Sequence, residues 1–365
     1  MASAKAGDFI PYARQEIGEE DIAAIVAALK DPWLTTGPGV AAFEADFCAT
    51  SGAAHAVAVS NGTAALHAAM RAIGVGAGDE VIVPAITFAA SANAAVYEGA
   101  TPIFADVEAD TLLIDVADAA RRITKRTKAI VAVDYAGQPC DYDALHALCR
   151  AHGLKLIADA CHAIGAEYQG RRVGTLADVS TFSFHPAKHI TTGEGGLCAT
   201  DDAAMAATMR RFRNHGLDSD HRARAEKGAF AYDMVELGYN YRLTDLQCAL
   251  GRAQLKRLKH WVARRQEISA RYDAAFAGLN GVRPLVTRHD RTHARHLYVI
   301  RLDGISRNAA FQSLREKGIG ANVHYAPVHL FSFYRQRFGT HAGMCPVAES
   351  AAENILTLPL FPGLT

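Results

Sequence analysis

Short apolar runs alternate with helical patterns along the first half of the chain. His55-Ala56-Val57-Ala58-Val59 reads as a strand, and Asn61-Gly62-Thr63 then opens an alanine-rich helix over 64–73. Glu80-Val81-Ile82-Val83-Pro84 is the next strand, followed by a helix over 89–97. Apolar runs at 102–107, 129–133, 156–159 and 179–184 repeat the strand signal, with a helix over 141–152 between the second and third of them. Strands alternating with helices predict an α/β fold with a mostly parallel sheet covered on both faces. Ahead of this region, Glu19-Glu20-Asp21 followed by Ile22, Ile25, Val26 and Leu29 spells an amphipathic helix with acids at its N-terminus. Asp31-Pro32 stops it, and residues 33–39 form a loop.

From Leu243 the period lengthens. Leu243, Leu246, Leu250, Leu258, Trp261, Ile268, Tyr272 and Phe276 recur near helical spacing through a basic segment, as one or two long helices would. Beyond them, residues 297–302 read as a strand, 309–317 as a helix and 321–325 as another strand. The expected division is a large domain over 1–250 and a smaller α+β domain over 251–365, entered by the long helices. The chain runs out at 360–365 without a helical pattern, which leaves room for a trimmed C-terminus.

Composition narrows the function classes. Half of the 365 residues are hydrophobic and 21% are charged, as in an ordinary globular protein with a sizeable core. The 38 basic and 38 acidic residues cancel, so no global field draws nucleic acid or a membrane surface. No apolar run reaches the roughly 18 residues of a membrane span. The first eight residues lack the apolar core of a signal peptide. Seven scattered cysteines without a C-x-x-C pair fit reduced thiols in a cytoplasm. Of the 16 histidines, His289, His293 and His296 are the densest group, but Arg288, Arg291 and Arg295 lie among them and would repel a cation. No metal site is expected.

The chemistry concentrates around one lysine. Lys188 follows the apolar run Ser180-Thr181-Phe182-Ser183-Phe184 and precedes the glycine-rich Gly193-Glu194-Gly195-Gly196. A desolvated lysine is a nucleophile toward carbonyls. Asp159 closes the strand at 156–159, at the sheet edge where open α/β folds bind ligands. A lysine to hold an aldehyde and an acid to keep a pyridine nitrogen protonated are the two groups a pyridoxal phosphate enzyme needs. Asn61-Gly62-Thr63, between a strand and a helix, suits a phosphate: free amides, no side-chain obstruction and a hydroxyl. Ser183 offers a second hydroxyl, His162 lies near Asp159, and Phe88 follows a strand end where it could stack on a flat ring. Taken singly, each has an ordinary alternative: a loop lysine, two helix caps, a satisfied core histidine and a packed phenylalanine.

Together these residues carry a resemblance. Asp159-Ala160-Cys161-His162-Ala163-Ile164-Gly165-Ala166 is similar to D-x-x-[HQ]-A-x-G-A. Phe182-Ser183-Phe184-His185-Pro186-Ala187-Lys188 with Gly193-Glu194-Gly195-Gly196 is similar to F-S-F-x-x-x-K…G-E-G-G. Gly238-Tyr239-Asn240-Tyr241-Arg242-Leu243-Thr244-Asp245-Leu246-Gln247 is similar to G-x-N-x-R-x-x-[DE]-x-Q. These motifs belong to the DegT/DnrJ/EryC1/StrS nucleotide-sugar aminotransferases, of the aspartate-aminotransferase-like fold type I, and the resemblance spans nearly the whole chain. It implies pyridoxal 5′-phosphate held on Lys188, with Asp159 at the pyridine nitrogen, His162 at the ring oxygen and Phe88 stacked on the ring. Gly62, Thr63 and Ser183 would hold the phosphate. Asn240 would reach the phosphate of a neighbouring subunit, making the site a property of a homodimer.

Residues 31–38, residues 185–186 with 190–193, and residues 323–329 resemble most the branch that aminates C4 of UDP-linked 4-keto-6-deoxy-N-acetylhexoses on the way to pseudaminic acid. That resemblance places Tyr12, Trp33, Leu34, Thr35, His324 and Tyr325 in the sugar-nucleotide pocket, with an amino acid such as L-glutamate as donor. Asn61-Gly62-Thr63 departs from the S-A-T common in that branch. Alternatives are a GDP- or dTDP-4-keto-6-deoxy sugar as acceptor, or a non-enzymatic regulatory member of the family. The related dehydratases carry histidine where this chain has Lys188.

Overall fold

The computed structural model describes residues 9–219, 222, 224, 228 and 230–365. Among them the strands are β1 (His55–Val59), β2 (Glu80–Pro84), β3 (Thr101–Ala105), β4 (Thr127–Val133), β5 (Lys155–Asp159), β6 (Glu167–Tyr168) and β7 (Arg171–Arg172). Then follow β8 (Val179–Ser183), β9 (Gly196–Thr200), β10 (Val282–Pro284), β11 (Arg291–Thr292), β12 (Tyr298–Leu302) and β13 (Ile355–Leu358). The early helices are α1 (Glu19–Leu29), α2 (Pro38–Ser51), α3 (Gly62–Ala72), α4 (Ala89–Tyr97), α5 (Val116–Arg121), α6 (Tyr142–His152) and α7 (Ala203–Phe212).

The central sheet runs β1-β9-β8-β5-β4-β2-β3. Only β9 opposes the rest, pairing antiparallel with both β1 and β8. The mostly parallel α/β expectation therefore holds. All five residues of β2 and the last four of β1 are buried, as strands covered on both faces require. The small side chains of α3 (Ala64, Ala65, Ala68 and Ala69 buried) let that helix lie close against the sheet.

A cluster of phenylalanines supports the strand that leads to Lys188. The Phe47 and Phe182 rings are 4.8 Å apart and those of Phe43 and Phe184 5.4 Å, both edge-on, and all four side chains are fully buried. Such burial is worth roughly 1.5–3 kcal/mol per side chain.

The C-terminal region builds a second sheet, β10-β12-β13, over a smaller core of Ile268, Tyr298, Ile300, Leu302, Leu356 and Leu358. Two helices, Asp245–Leu255 and Leu258–Phe276, carry the chain to it, as the long apolar period predicts. One expected strand does not form. Residues 321–325 contribute a single bridge, Asn322 to Thr357, because the rest of the segment turns toward the cleft. The N-terminal segment crosses to the same side: Ile10 exchanges backbone hydrogen bonds with Gly318 and Gly320, and Leu360 N donates to Tyr12 O.

Candidate active site

The carboxyl ends of β1, β2, β4, β5 and β8 open on one cleft of about 900 Å³. The turn expected to hold a phosphate opens α3. Asn61 Oδ1 accepts from Ala64 N at 2.8 Å and caps the helix. Gly62 and Thr63 line the cleft, ahead of the first intrahelical bond from Ala65 N to Asn61 O. A Cβ on Gly62 would stand 2.9 Å from Ser183 Cβ, so the turn and the end of β8 touch. A Cβ on Gly196 would stand 2.3 Å from Asn61 O, which keeps β9 equally close.

Lys188 occupies the loop between the antiparallel arms β8 and β9. The loop base is closed by Phe184 N to Gly195 O (2.8 Å) and Thr192 N to Phe184 O (3.0 Å), and Lys188 N donates to His185 O (2.8 Å). The side chain lines the cleft. Burial pulls its ammonium below the usual lysine value, against the opposing pull of Cys161 and Asp159. The result favours a neutral, nucleophilic amine.

Asp159 is 7% exposed. Its Oδ2 accepts from Ser91 Oγ at 2.6 Å, and Ser91 in turn bonds Thr87 Oγ1 at 2.7 Å. Oδ1 accepts from Cys161 N at 3.3 Å. His162 Nε2 lies 3.2 Å from Tyr325 Oη and its ring packs against His296 at 4.4 Å, tilted by 35°, while its buried Nδ1 has no partner among the described residues. Burial, with Lys188 adding to it, holds His162 well below the ordinary histidine value, so the ring is neutral near pH 7. Phe88 caps α4, is 61% exposed and lines the cleft.

Tyr12, His324 and Tyr325 form the opposite wall. His324 Nδ1 is 2.9 Å from Thr357 Oγ1, and Tyr135 Oη donates to His324 O. Burial pushes His324 down to about 4 and Tyr325 well above its ordinary value.

Four predicted residues lie outside this chain's own cleft. Trp33, Leu34 and Thr35 sit on the loop before α2, where Thr35 bridges Thr244 and Leu34 is 46% exposed. Asn240 is exposed and bridges Asn214. The remaining predicted residues meet in the cleft. Ser91, Tyr241 and His296 also belong to the site, and the sequence does not mark them as such. Ser91 sits in an alanine-rich helix with no local signal. His296 stands out in the sequence only as one of a histidine group, whereas it packs on His162. The arginines near it are engaged elsewhere, Arg291 with Asp290 and Arg295 with Asp273.

These residues fit pyridoxal phosphate. A glycine cradle at a helix N-terminus suits the phosphate, an acceptor-only carboxylate suits a protonated ring nitrogen, and a desolvated amine suits the aldehyde.

Comparison with known proteins identifies the family. The model of the DegT/DnrJ/EryC1/StrS aminotransferase family matches residues 15–365. The spore coat polysaccharide biosynthesis protein SpsC of Bacillus subtilis is 40% identical over 367 residues, covering 99% of this chain and 94% of its own. Spr1654 of Streptococcus pneumoniae, solved in a PMP form, superposes with a TM-score of 0.92 at 35% identity, covering 98% of this chain and 95% of that one. Its PLP form gives 0.91 at 34%. PseC of Helicobacter pylori, an aminotransferase involved in the biosynthesis of pseudoaminic acid, gives 0.92 at 33%, with the same 98% and 95% coverage. The expected fold type, enzyme class and cofactor are thereby borne out, and the chain belongs to the DegT/DnrJ/EryC1/StrS family of pyridoxal-phosphate sugar aminotransferases.

Proposed function

We propose that this chain transfers an amino group from L-glutamate to C4 of a UDP-linked 4-keto-6-deoxy-N-acetylhexosamine, in the synthesis of a surface glycan such as one containing pseudaminic acid. Support comes from the wall formed by Tyr12, His324 and Tyr325, together with the likeness to PseC. Bound pyridoxal phosphate supplies an aldehyde that captures amines and a ring that delocalises a carbanion. The chain's own residues do the rest. Gly62, Thr63 and Ser183 bind the phosphate, and Asp159, held by Ser91, orients toward the ring nitrogen. Lys188 Nζ, once free, would take the proton from the donor's α-carbon as general base and deliver it as general acid to the carbon that carried the aldehyde, and would run the same transfer in reverse for the sugar acceptor. The neutral His162–Tyr325 pair offers hydrogen bonds without adding charge beside Lys188.

We place the working unit as a homodimer. Phe230, Met234, Val235 and Leu237 are each more than half exposed in the single chain, a large apolar surface for a monomer. It lies in the segment that presents Asn240, and the loop of Trp33, Leu34 and Thr35 is tied to the residues just after Asn240 through Thr244 and Asp245, so a partner's cleft would receive Asn240 and these three together. The seven unpaired thiols suit a reducing cytoplasm.

Two measurements test the assignment. Borohydride reduction is expected to fix the cofactor on the peptide containing Lys188, and Lys188→Ala to abolish both labelling and turnover. The amine-loaded enzyme, offered a panel of 4-keto nucleotide sugars, is expected to aminate the UDP-linked N-acetyl sugar fastest. Preference for a GDP- or dTDP-linked sugar would overturn the substrate, and labelling elsewhere than Lys188 would overturn the mechanism.

A further inference from the structure

Asn240 lies between two tyrosines that turn the other way. The Tyr239 and Tyr241 rings stack on each other at 5.0 Å and 13°, while Asn240 is exposed. Side chains two apart along an extended segment share a face, and the one between them takes the opposite face. Both tyrosine rings pack on His67, at 5.1 and 5.9 Å, and Phe212 and Tyr97 complete the cage at 5.0 and 5.2 Å.

His67 is 2% exposed, yet both its nitrogens are engaged. Nε2 is 3.0 Å from Glu98 Oε1, and Nδ1 is 3.1 Å from Tyr241 Oη. With Nε2–H donating to the carboxylate, Nδ1 accepts the tyrosine hydroxyl. Arg71 reaches both Glu98 (3.9 Å) and Glu236 (3.2 Å), and Arg211 takes the other oxygen of Glu236 at 2.9 Å. The backbone is held too: Ser60 N donates to Tyr241 O, Tyr239 N to Phe212 O and Tyr241 N to Arg213 O. Thus the segment carrying Asn240 is clamped to α3 and α7, and His67 is the polar centre of the clamp.

We propose that His67, with Glu98 and Tyr241, is a positioning unit that acts across the dimer: it sets the reach of Asn240 into the cleft of the neighbouring subunit. The inference rests on the homodimer reading above. Tyr241 also lines this chain's own cleft, so the competing effect is one within the same chain.

Mixed dimers, purified through two different tags, separate the two effects. A chain with Lys188→Ala cannot be labelled by borohydride, so the label reports only the cleft on the other chain. The readout is the pyridoxal phosphate concentration that half-saturates labelling, with turnover measured alongside. In the His67→Gln homodimer this concentration is expected to rise about tenfold, the loss of one hydrogen bond to a charged group. Pairing a His67→Gln chain with a Lys188→Ala chain gives the labelled cleft an Asn240 supported by an intact His67. It should then saturate within about twofold of the pair formed by wild type and Lys188→Ala. Placing both substitutions on one chain, opposite a wild-type chain, should transfer the defect to the wild-type cleft. A defect that stays with the chain carrying His67→Gln overturns the proposal. Tyr241→Phe, which removes only the hydroxyl, serves in the same pairings if His67→Gln does not fold. Asn240→Ala in these pairings tests the underlying reading. If Asn240→Ala shows no effect across the dimer, the shared-site reading falls and takes this proposal with it. If Asn240→Ala does and His67→Gln does not, only the role of His67 falls.

Discussion

Gly62, which lines the cleft, and Gly196, the first residue of β9, are conspicuous because neither does chemistry. Each keeps a backbone approach open that any side chain would close. At Gly196 the obstruction is backbone: an added Cβ would stand 2.3 Å from Asn61 O and 2.4 Å from Asn61 C. Neither neighbour can rotate away. Gly196→Ala is therefore expected to push β9 from the phosphate turn and destabilise the fold by about 3 kcal/mol, at the upper end of overpacking costs, read as a lowered melting temperature. Gly62→Ala meets Ser183 Cβ at 2.9 Å and should disturb phosphate binding more than folding. Comparing the affinities for pyridoxal phosphate and for pyridoxal, which lacks the phosphate, would show it; equal losses for both would contradict the phosphate role. Lys188, Asp159 and Gly62 are legible in the sequence because each stands at a strand end or turn, where the chain pattern itself marks the position. Ser91 is not: its role comes from the approach of Asp159, 68 residues away, and no local spacing encodes that contact.

At the scale of elements, legibility follows periodicity. Strands of the parallel sheet stand out because their residues are apolar on both faces. Helix α2 is hard to read because it opens on Pro38, directly after Gly37 in a segment that reads as loop, and buries Phe43, Glu44, Phe47 and Ser51 on no simple apolar stripe. β9 is hidden because it follows a glycine-rich return, and β13 because it follows a helix without a turn signal. What joins α2 to the second half of the chain is Asp245. Its two carboxylate oxygens accept from Gly37 N and Gly39 N, both at 2.8 Å, where the positive end of the α2 dipole lies. Asp245 also opens the helix Asp245–Leu255, whose own cap is Thr244. Asp245→Ala is expected to cost about 2–3 kcal/mol, the loss of hydrogen bonds to a buried charge. The damage should appear first as faster amide exchange over residues 33–39. Unchanged exchange there would mean that the loop is held by something else.

The whole molecule carries an acid sensitivity. His162, His189, His293, His296 and His324 are buried, and burial lowers all five: His189 to about 3, His324 to about 4 and the others well below the ordinary 6.5. Well above pH 6.5 neither state binds these protons, and the histidines' full contribution to stability is present. As pH falls from 6.5 toward 4, the unfolded chain takes up protons that the native state refuses, so stability drops. Asp134 works the other way. Burial raises its carboxyl to about 7, so below that pH the native state holds a proton that the unfolded chain releases until its ordinary value near 3.8. Five groups against one give a net uptake of about four protons on unfolding near pH 5. Calorimetry of the cofactor-free protein in buffers of different ionisation enthalpy measures that number directly, and the melting temperature should fall between pH 7 and pH 5. A flat profile would rule out the neutral histidine set.

The crossing of residues 10–12 to Gly318, Gly320 and Leu360 separates two lineages of wall within one cleft. The cofactor side descends from the central sheet and is fixed by backbone contacts with no slack. On the proposed reading the acceptor side comes from Tyr12 and residues 322–325, outside the central sheet, and it meets the cofactor side where Tyr325 Oη lies 3.2 Å from His162 Nε2. If that reading holds, substitutions at Tyr12 or Asn322 would redraw the accepted sugar at less cost to the amination chemistry than substitutions at Tyr325, where the two walls share a hydrogen bond.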